Sequence, residues 1–206
     1  MIGTTLDEMR LYRLQGGFPF TDELLPAVVG SQLPGDDAQG RPRAEVVLET
    51  YRRLRGERGQ GTTAPELFEA IQTDLSLRIP STALAERHAD HQPRTRVYLF
   101  DWPSPLEGDL GSCHALDIPF TFGTLDLPGI REFAGASAAA HELSHHLMDA
   151  WCAFAREGDP GHPGIGAWPA YEREHRSTMI LGEKCGVREA PYEEERTLFA
   201  ELGWPA

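Results

Sequence analysis

Lysine, cysteine and long apolar runs are scarce in this chain of 206 residues. Lys184 is the only lysine among 19 basic residues, and 32 acidic residues bring the formal net charge to −13. A chain this acidic is a poor partner for nucleic acid or for an anionic membrane surface, because both carry the same sign of charge. No stretch approaches the ~20 apolar residues that span a bilayer, so we expect no membrane segment. Hydrophobic residues make up 40% of the chain, which is enough for a sizeable core in one domain or in part of a larger one.

The three cysteines, Cys113, Cys152 and Cys185, form an odd set without a Cys-x-x-Cys pair. They cannot all be joined in disulfides, so a complete disulfide framework is excluded. The first residues show no basic stretch followed by an apolar run, so no signal peptide is visible. Together these observations favour the cytoplasm as the location of the chain.

The stretch 111–123, GSCHALDIPFTFG, is the most informative part of the sequence. Before it, residues 97–100 are apolar, β-branched or aromatic and predict a buried strand. Residues 102–111 contain repeated proline and glycine and predict a loop. His114 therefore follows a strand end, where reactive groups of open α/β sheets are found, although a lone loop histidine is more often chemically silent. Cys113 offers a thiol nucleophile beside it, but adjacent residues seldom aim at each other.

The beginning of the chain, MIGTTLDE, gives His114 a possible partner. A short apolar strand runs into a turn, and Glu8 follows on the exit loop. Thr5 and Glu8 also fit a Thr-x-x-Glu capping box, in which the carboxylate only caps a helix. However, an acid after one strand and, about a hundred residues later, a histidine after another is the back half of the order Ser…Asp/Glu…His.

Four stretches of the chain carry a family resemblance. They are 3–12 (GTTLDEMRLY), 111–123 (GSCHALDIPFTFG), 148–160 (MDAWCAFAREGDP), and Trp168-Pro169 followed by 176–179 (RSTM). In order and spacing they resemble the type-B carboxylesterases, the α/β-hydrolases that include the cholinesterases. The chain departs from the family pattern at Met9 and Ala115, where the family often has glycine.

The resemblance implies an α/β fold, namely the C-terminal part of an α/β-hydrolase with few strands, a helical insertion and flanking helices. It implies that Glu8 and His114 are the acid and the histidine of a catalytic triad. It further implies hydrolysis of small-molecule carboxylic esters through an acyl-enzyme, with no metal and no cofactor. In this fold the nucleophile precedes the acid in a Gly-x-Ser-x-Gly elbow, and that motif occurs nowhere in the 206 residues. We therefore expect a C-terminal portion that is inactive alone and whose partner is a missing N-terminal half carrying the serine.

Residues 1–206 are expected to form one portion of a carboxylesterase domain. Its parts are a helical insertion over about 21–92, a strand and histidine loop over 95–123, and a long helix over 137–156. Within and beyond these parts, apolar periodicity and capping signals predict helices over 6–14, 22–30, 43–55, 64–75, 81–91 and 193–202, and a strand over 178–181.

Two other functions stay open. His141-Glu142-Leu143-Ser144-His145 is a literal His-Glu-x-x-His, which on a helix puts both imidazoles on one face for a zinc metallohydrolase with Glu142 as base. The apolar stripe of the same helix points the other way, so both histidines are expected to face solvent. Met148 and Trp151 also stand where the extended zinc motif needs glycine and a third histidine. The other alternative is a non-catalytic, cholinesterase-like interaction module that lacks a complete triad.

Overall fold

The sheet is mixed and is made of four short strands in the computed structural model, which describes residues 1–204. The strands are β1 (Ile2–Thr5), β2 (Val97–Asp101), β3 (Thr178–Gly182) and β4 (Gly186–Arg188), in that spatial order. The first three run parallel, with Ile2 opposite Val97 and Val97 opposite Thr178, and β4 runs antiparallel to β3. The α/β class expected from the resemblance is confirmed. The carboxyl ends of β1 and β2 therefore lie side by side, so the loops that leave them meet at one edge.

Helices fill most of the chain between and after the strands. They are α1 (Leu25–Gln32), α2 (Arg43–Glu57), α3 (Ala64–Thr73), α4 (Ile79–Ala89), α5 (Asp117–Thr121), α6 (Ile130–Ala134), α7 (Ala138–Glu157) and α8 (Glu193–Glu201). A 3₁₀ helix over Glu8–Gln15 follows β1, where a short helix was predicted. No helix in the described residues is both long and apolar enough to cross a membrane.

The helices between β1 and β2 pack into a layer with its own core. Residues of α1, α2 and α3 bury their apolar faces together, and α8 adds Leu198 and Phe199 to the same cluster. Thr63 begins α3 with a capping box, because Glu66 accepts from the Thr63 amide at 3.0 Å. The division of the chain into an insertion and flanking portions stays a prediction.

The gap between the predicted helices over 64–75 and 81–91 does not occur. A π-helical segment over Asp74–Arg78 joins α3 to α4, so the helical path runs from Ala64 to Ala89. The π segment ends two residues before Pro80, which stands in the first turn of α4, where its missing N–H is tolerated. Single turns of π-helix of this kind are often found at functional sites.

The long helix α7 covers the other core of the protein. Its predicted start is confirmed, since the Ser137 hydroxyl accepts from the Ala140 amide at 3.1 Å as an N-cap. Leu143 and Leu147 of α7 share a buried cluster with Phe100 of β2. The histidine loop and α5 belong to the same cluster, so they are packed between the sheet and α7.

Candidate active site

Glu8 is buried at the point where β1 ends and the 3₁₀ helix begins. Its Oε1 accepts from the Thr5 amide at 2.8 Å, as a capping-box carboxylate would. The Thr5 hydroxyl does not complete the box, because it is buried without a hydrogen-bond partner in the part of the chain that the structure describes. Thr5 engages only Oε1 of Glu8, so the second carboxylate oxygen, Oε2, can accept from another donor.

That donor is His114. Its Nδ1 lies 2.6 Å from Oε2 of Glu8, although the two residues are 106 positions apart. A carboxylate only accepts hydrogen bonds, so Nδ1 carries the proton and the other ring nitrogen, Nε2, is free to accept one. The Glu8 side chain is 5% exposed and the His114 side chain is 56% exposed. The pair thus combines a fixed, buried carboxylate with an imidazole that opens to solvent.

The two loops that carry this pair are joined by backbone hydrogen bonds. The Leu6 amide donates to the Phe100 carbonyl at 2.9 Å, and the Asp7 amide donates to the Ser112 carbonyl at 2.8 Å. The Ser112 amide returns a bond to Oδ2 of Asp7 at 3.1 Å. These contacts extend the pairing of β1 and β2 beyond the strand ends, so they align the two loops.

Gly111 is required for this close approach. Its φ is +54°, and a Cβ built on it would stand 2.3 Å from Oδ2 of Asp7. Both facts favour glycine, which alone combines left-handed backbone with no side chain.

Ala115, directly after His114, also has left-handed backbone, with φ of +65°. A non-glycine residue in this region costs roughly 1–2 kcal/mol. The position is one of the two at which the sequence departs from the glycine of the family pattern. The left-handed turn after His114 therefore forms even with alanine at position 115.

A second acidic residue, Asp117, lies close to the pair and was missed by sequence reasoning. The Tyr98 hydroxyl donates to its Oδ2 at 3.0 Å. Burial raises the pKa of Asp117, the Tyr98 hydrogen bond opposes the rise, and the nearby Glu8 adds to it. Tyr98 lies across Gly3 of β1, where a Cβ would stand 2.3 Å from its ring. In the sequence, the hydroxyl of Tyr98 is the one polar group in the apolar run 97–100, and it could have indicated a buried polar partner such as Asp117.

Cys113 does not support a thiol nucleophile. Its side chain is fully buried, and burial raises the pKa of the thiol to about 11. Since the thiolate is the reactive form, such a thiol is inert at neutral pH.

The His-Glu-x-x-His stretch lies on α7, with Leu143 buried and with His141, Glu142 and His145 half-buried or exposed. His145 is exposed, and His141 is 37% exposed with its Nε2 3.6 Å from Asp126. Oε1 of Glu142 lies 3.9 Å from Nε2 of His146. Among residues 1–204, no group of three or more His, Cys, Asp or Glu side chains converges as a metal would need. The geometry does not favour the zinc alternative.

The fold of the chain is similar to solved structures of esterases. The chain superposes on a thermophilic PNB esterase with a TM-score of 0.73 and 29% identity, covering 97% of this chain and 37% of that one. A carboxylesterase of Geobacillus stearothermophilus gives a TM-score of 0.74 at 24% identity, which supports the fold alone. The fold is therefore that of the α/β-hydrolase esterases.

Sequence comparison then identifies the family. Residues 29–199 match the sequence profile of the Carboxylesterase family, so the chain belongs to that family. It is 32% identical to the para-nitrobenzyl esterase of Bacillus subtilis (strain 168) and 28% identical to the phenmedipham hydrolase of Pseudarthrobacter oxydans. These alignments cover 98% and 89% of this chain but only 38% and 36% of the two relatives. The profile match includes His114 and begins after Glu8, whereas the alignment with the Bacillus esterase covers nearly the whole chain.

Proposed function

We propose that this chain supplies the acid and the base of a serine carboxylesterase, with Glu8 as acid and His114 as base. The observation that carries the proposal is the 2.6 Å contact between Oε2 of buried Glu8 and Nδ1 of exposed His114. A carboxylate that holds one imidazole nitrogen while the other stays accessible is the orientation that acyl transfer by a triad needs. Membership of the Carboxylesterase family supports the same reading.

The reaction proposed is hydrolysis of a carboxylic ester in two steps. In the first, Nε2 of His114 takes the proton of a serine hydroxyl as its oxygen attacks the ester carbonyl carbon. The imidazolium then gives that proton to the leaving alcohol, which leaves an acyl-enzyme. In the second, Nε2 takes a proton from water as the water attacks the acyl carbon, and it returns that proton to the serine. Glu8 stays ionised throughout, because its task is to fix the imidazole tautomer and stabilise the imidazolium.

The serine is proposed to come from polypeptide outside the 206 residues. Two observations support this: no Gly-x-Ser-x-Gly elbow occurs in the sequence, and the esterase relatives are more than twice as long as the part that aligns. The open side of the His114 ring offers the surface on which a hydroxyl could approach Nε2. The chain alone is therefore proposed to be inactive toward esters, and the acyl and alcohol groups of the substrate depend on the absent part.

A chimera tests the catalytic assignment. This chain replaces the aligned 38% of the Bacillus subtilis para-nitrobenzyl esterase, and hydrolysis of a p-nitrophenyl ester is measured. We expect an active hybrid in which Glu8→Gln or His114→Ala lowers kcat by about 10⁴-fold, the loss typical of a disrupted triad. Glu142→Gln and His145→Asn are matched controls on the exposed face of α7 and should leave kcat unchanged. A folded, active chimera that keeps its rate without Glu8 or His114 would contradict the assignment.

Labelling of the isolated 206-residue chain tests the origin of the nucleophile. A fluorophosphonate probe reacts covalently with an activated serine, and we expect no labelling of this chain. A labelled serine within it would show that the nucleophile is internal and would overturn that part of the proposal.

A further inference from the structure

Residues 6–9, called here the Glu8 turn, accept one hydrogen bond from a side chain of the helical layer and donate one to another. Arg78 donates from Nη2 to the Leu6 carbonyl at 2.6 Å. The Met9 amide donates to the hydroxyl of Thr73 at 3.2 Å. The two contacts bracket Glu8, one on the residue two positions before it and one on the residue after it. Hydrogen bonds on both sides restrict the rotation of the turn and so the direction of the carboxylate.

The π-helical segment explains how both side chains reach the same turn. Thr73 and Arg78 are five residues apart in the sequence. In a regular α-helix, residues five apart diverge by about 140° around the axis and could not both face one turn. The i→i+5 pattern of a π-helix places such residues nearly above one another. The π segment begins directly after Thr73 and ends at Arg78, so the irregular backbone spans the step from one contact to the other.

Arg78 is itself fixed, which makes it a rigid support. Its Nη1 lies 3.3 Å from the carboxylate of buried Asp74, and its guanidinium lies 4.2 Å from the ring centroid of Tyr192. Asp74 in turn accepts a hydrogen bond from the hydroxyl of buried Tyr51 in α2. The support of the Glu8 turn therefore continues into the core of the helical layer.

A third contact from the same layer holds the 3₁₀ helix that begins at Glu8. Arg13 donates from Nε and Nη2 to the two carboxylate oxygens of Glu69 in α3, at 2.9 and 2.7 Å. Bidentate pairs of this kind fix orientation as well as distance. Both ends of the segment that begins with Glu8 are thus attached to α3 or to its π-helical continuation.

We propose that Thr73 and Arg78 are positioning residues that keep the carboxylate of Glu8 aimed at Nδ1 of His114. The helical layer then acts on the candidate site through hydrogen bonds to the backbone of the Glu8 turn, without touching His114. The catalytic consequence rests on the function proposed above, but the aim of the carboxylate is measurable in this chain without any ester hydrolysis.

The test uses Thr73→Val, Thr73→Ser and the matched control Thr50→Val. Valine keeps the shape of Thr73 and removes the acceptor for the Met9 amide, whereas serine keeps the acceptor. Thr50 is a half-buried threonine of α2 whose hydroxyl donates to the Val46 carbonyl of its own helix. The readout is the exchange rate with water of the His114 Nδ1 proton, observed by NMR in histidine-labelled protein.

We expect Thr73→Val to speed this exchange by about three- to tenfold, the factor that losing one ordinary hydrogen bond corresponds to. Thr73→Ser and Thr50→Val should exchange like the unaltered chain. Arg78→Lys gives an independent second arm, because one ammonium group cannot bond Asp74 and the Leu6 carbonyl in the geometry of the guanidinium fork. It should also speed the exchange.

Equal exchange rates in Thr73→Val, Thr73→Ser and the unaltered chain would overturn the proposal. So would a Thr73→Val effect no larger than that of Thr50→Val. If Thr73→Val does not fold, Arg78→Lys decides by the same readout. In the chimera, failure of Glu8→Gln to reduce the rate would refute the proposed function and leave this exchange measurement standing, so the two failures are distinguishable.

Discussion

The substitution Glu8→Gln separates a structural cap from a group that orients an imidazole. Glu8 accepts two hydrogen bonds, from the Thr5 amide at 2.8 Å and from Nδ1 of His114 at 2.6 Å. Glutamine has one acceptor oxygen, which can serve only one of these donors. The Thr5 amide belongs to β1 and cannot turn away, so we expect the glutamine oxygen to face it. Its NH₂ group then faces Nδ1, which favours the histidine tautomer with the proton on Nε2.

The size of the effect follows from the bond that is lost. A hydrogen bond to a charged partner contributes about 1.5–3 kcal/mol, so we expect the free energy of unfolding of Glu8→Gln to fall by about that much. For a chain of this size, the loss corresponds to a decrease in Tm of roughly 3–12 °C. Urea unfolding at pH 7 measures the energy, and NMR of histidine-labelled protein reports which nitrogen of His114 carries the proton.

Glu142→Gln is the matched control, because its side chain is 75% exposed on α7. Exposed substitutions of this kind usually change stability by less than about 0.5 kcal/mol. If Glu8→Gln matches this control and the Nδ1 proton of His114 persists, the carboxylate does not set the tautomer and the reasoning fails.

Three further changes test the fold around the site. Burial raises the pKa of Asp117 above its ordinary 3.8, so the folded chain binds the carboxyl proton of Asp117 more tightly than the unfolded chain does. The free energy of unfolding of the unaltered chain therefore falls as pH rises from 3.8 through the raised pKa. Asp117→Asn should therefore be more stable than the unaltered chain in urea at pH 7, with the gap closing at pH 3. Leu147→Ala, at a fully buried position of α7, should cost about 2–5 kcal/mol in urea unfolding; a loss under 1 kcal/mol would contradict the packing of α7 on the sheet. Tyr51→Phe removes the hydroxyl that bonds buried Asp74 and should cost about 1–3 kcal/mol; no loss would show that this hydrogen bond contributes nothing.

Sequence reasoning worked best where local patterns were strong. The apolar runs of β2 and β3 and the capped, amphipathic α7 were predicted within about two residues at each end, as is usual for strongly periodic elements. It failed where the pattern was short or where two rules competed. The strand β4 has only three residues, which are exposed or half-buried, so no alternation was visible. A gap was predicted between the helices over 64–75 and 81–91, but a π-helical segment over Asp74–Arg78 fills it, and Pro80 stands in the first turn of α4.

The candidate site also contains residues that the sequence predicted and residues that it could not predict. Glu8 and His114 were predicted because strand ends and a family resemblance mark them, and the structure brings their side chains together. Their catalytic roles stay predictions, which the chimera tests. The supporting contacts of Asp7, Thr73 and Arg78 could not be predicted, because each joins residues far apart in the sequence through one or two hydrogen bonds and leaves no periodic pattern.

Two kinds of support meet at Glu8, and they constrain different things. The sheet fixes where the acid and histidine loops lie, because the Leu6 and Asp7 amides continue the pairing of β1 and β2. The His114 amide also donates to the Glu8 carbonyl at 3.3 Å, so the two loops are tied at the Glu8–His114 pair itself. Thr73 and Arg78 add hydrogen bonds from the helical layer, and in our proposal these fix the direction of the carboxylate. A site built on strand ends therefore depends on the helices inserted between those strands, and its geometry is sensitive to changes that never touch the reacting atoms.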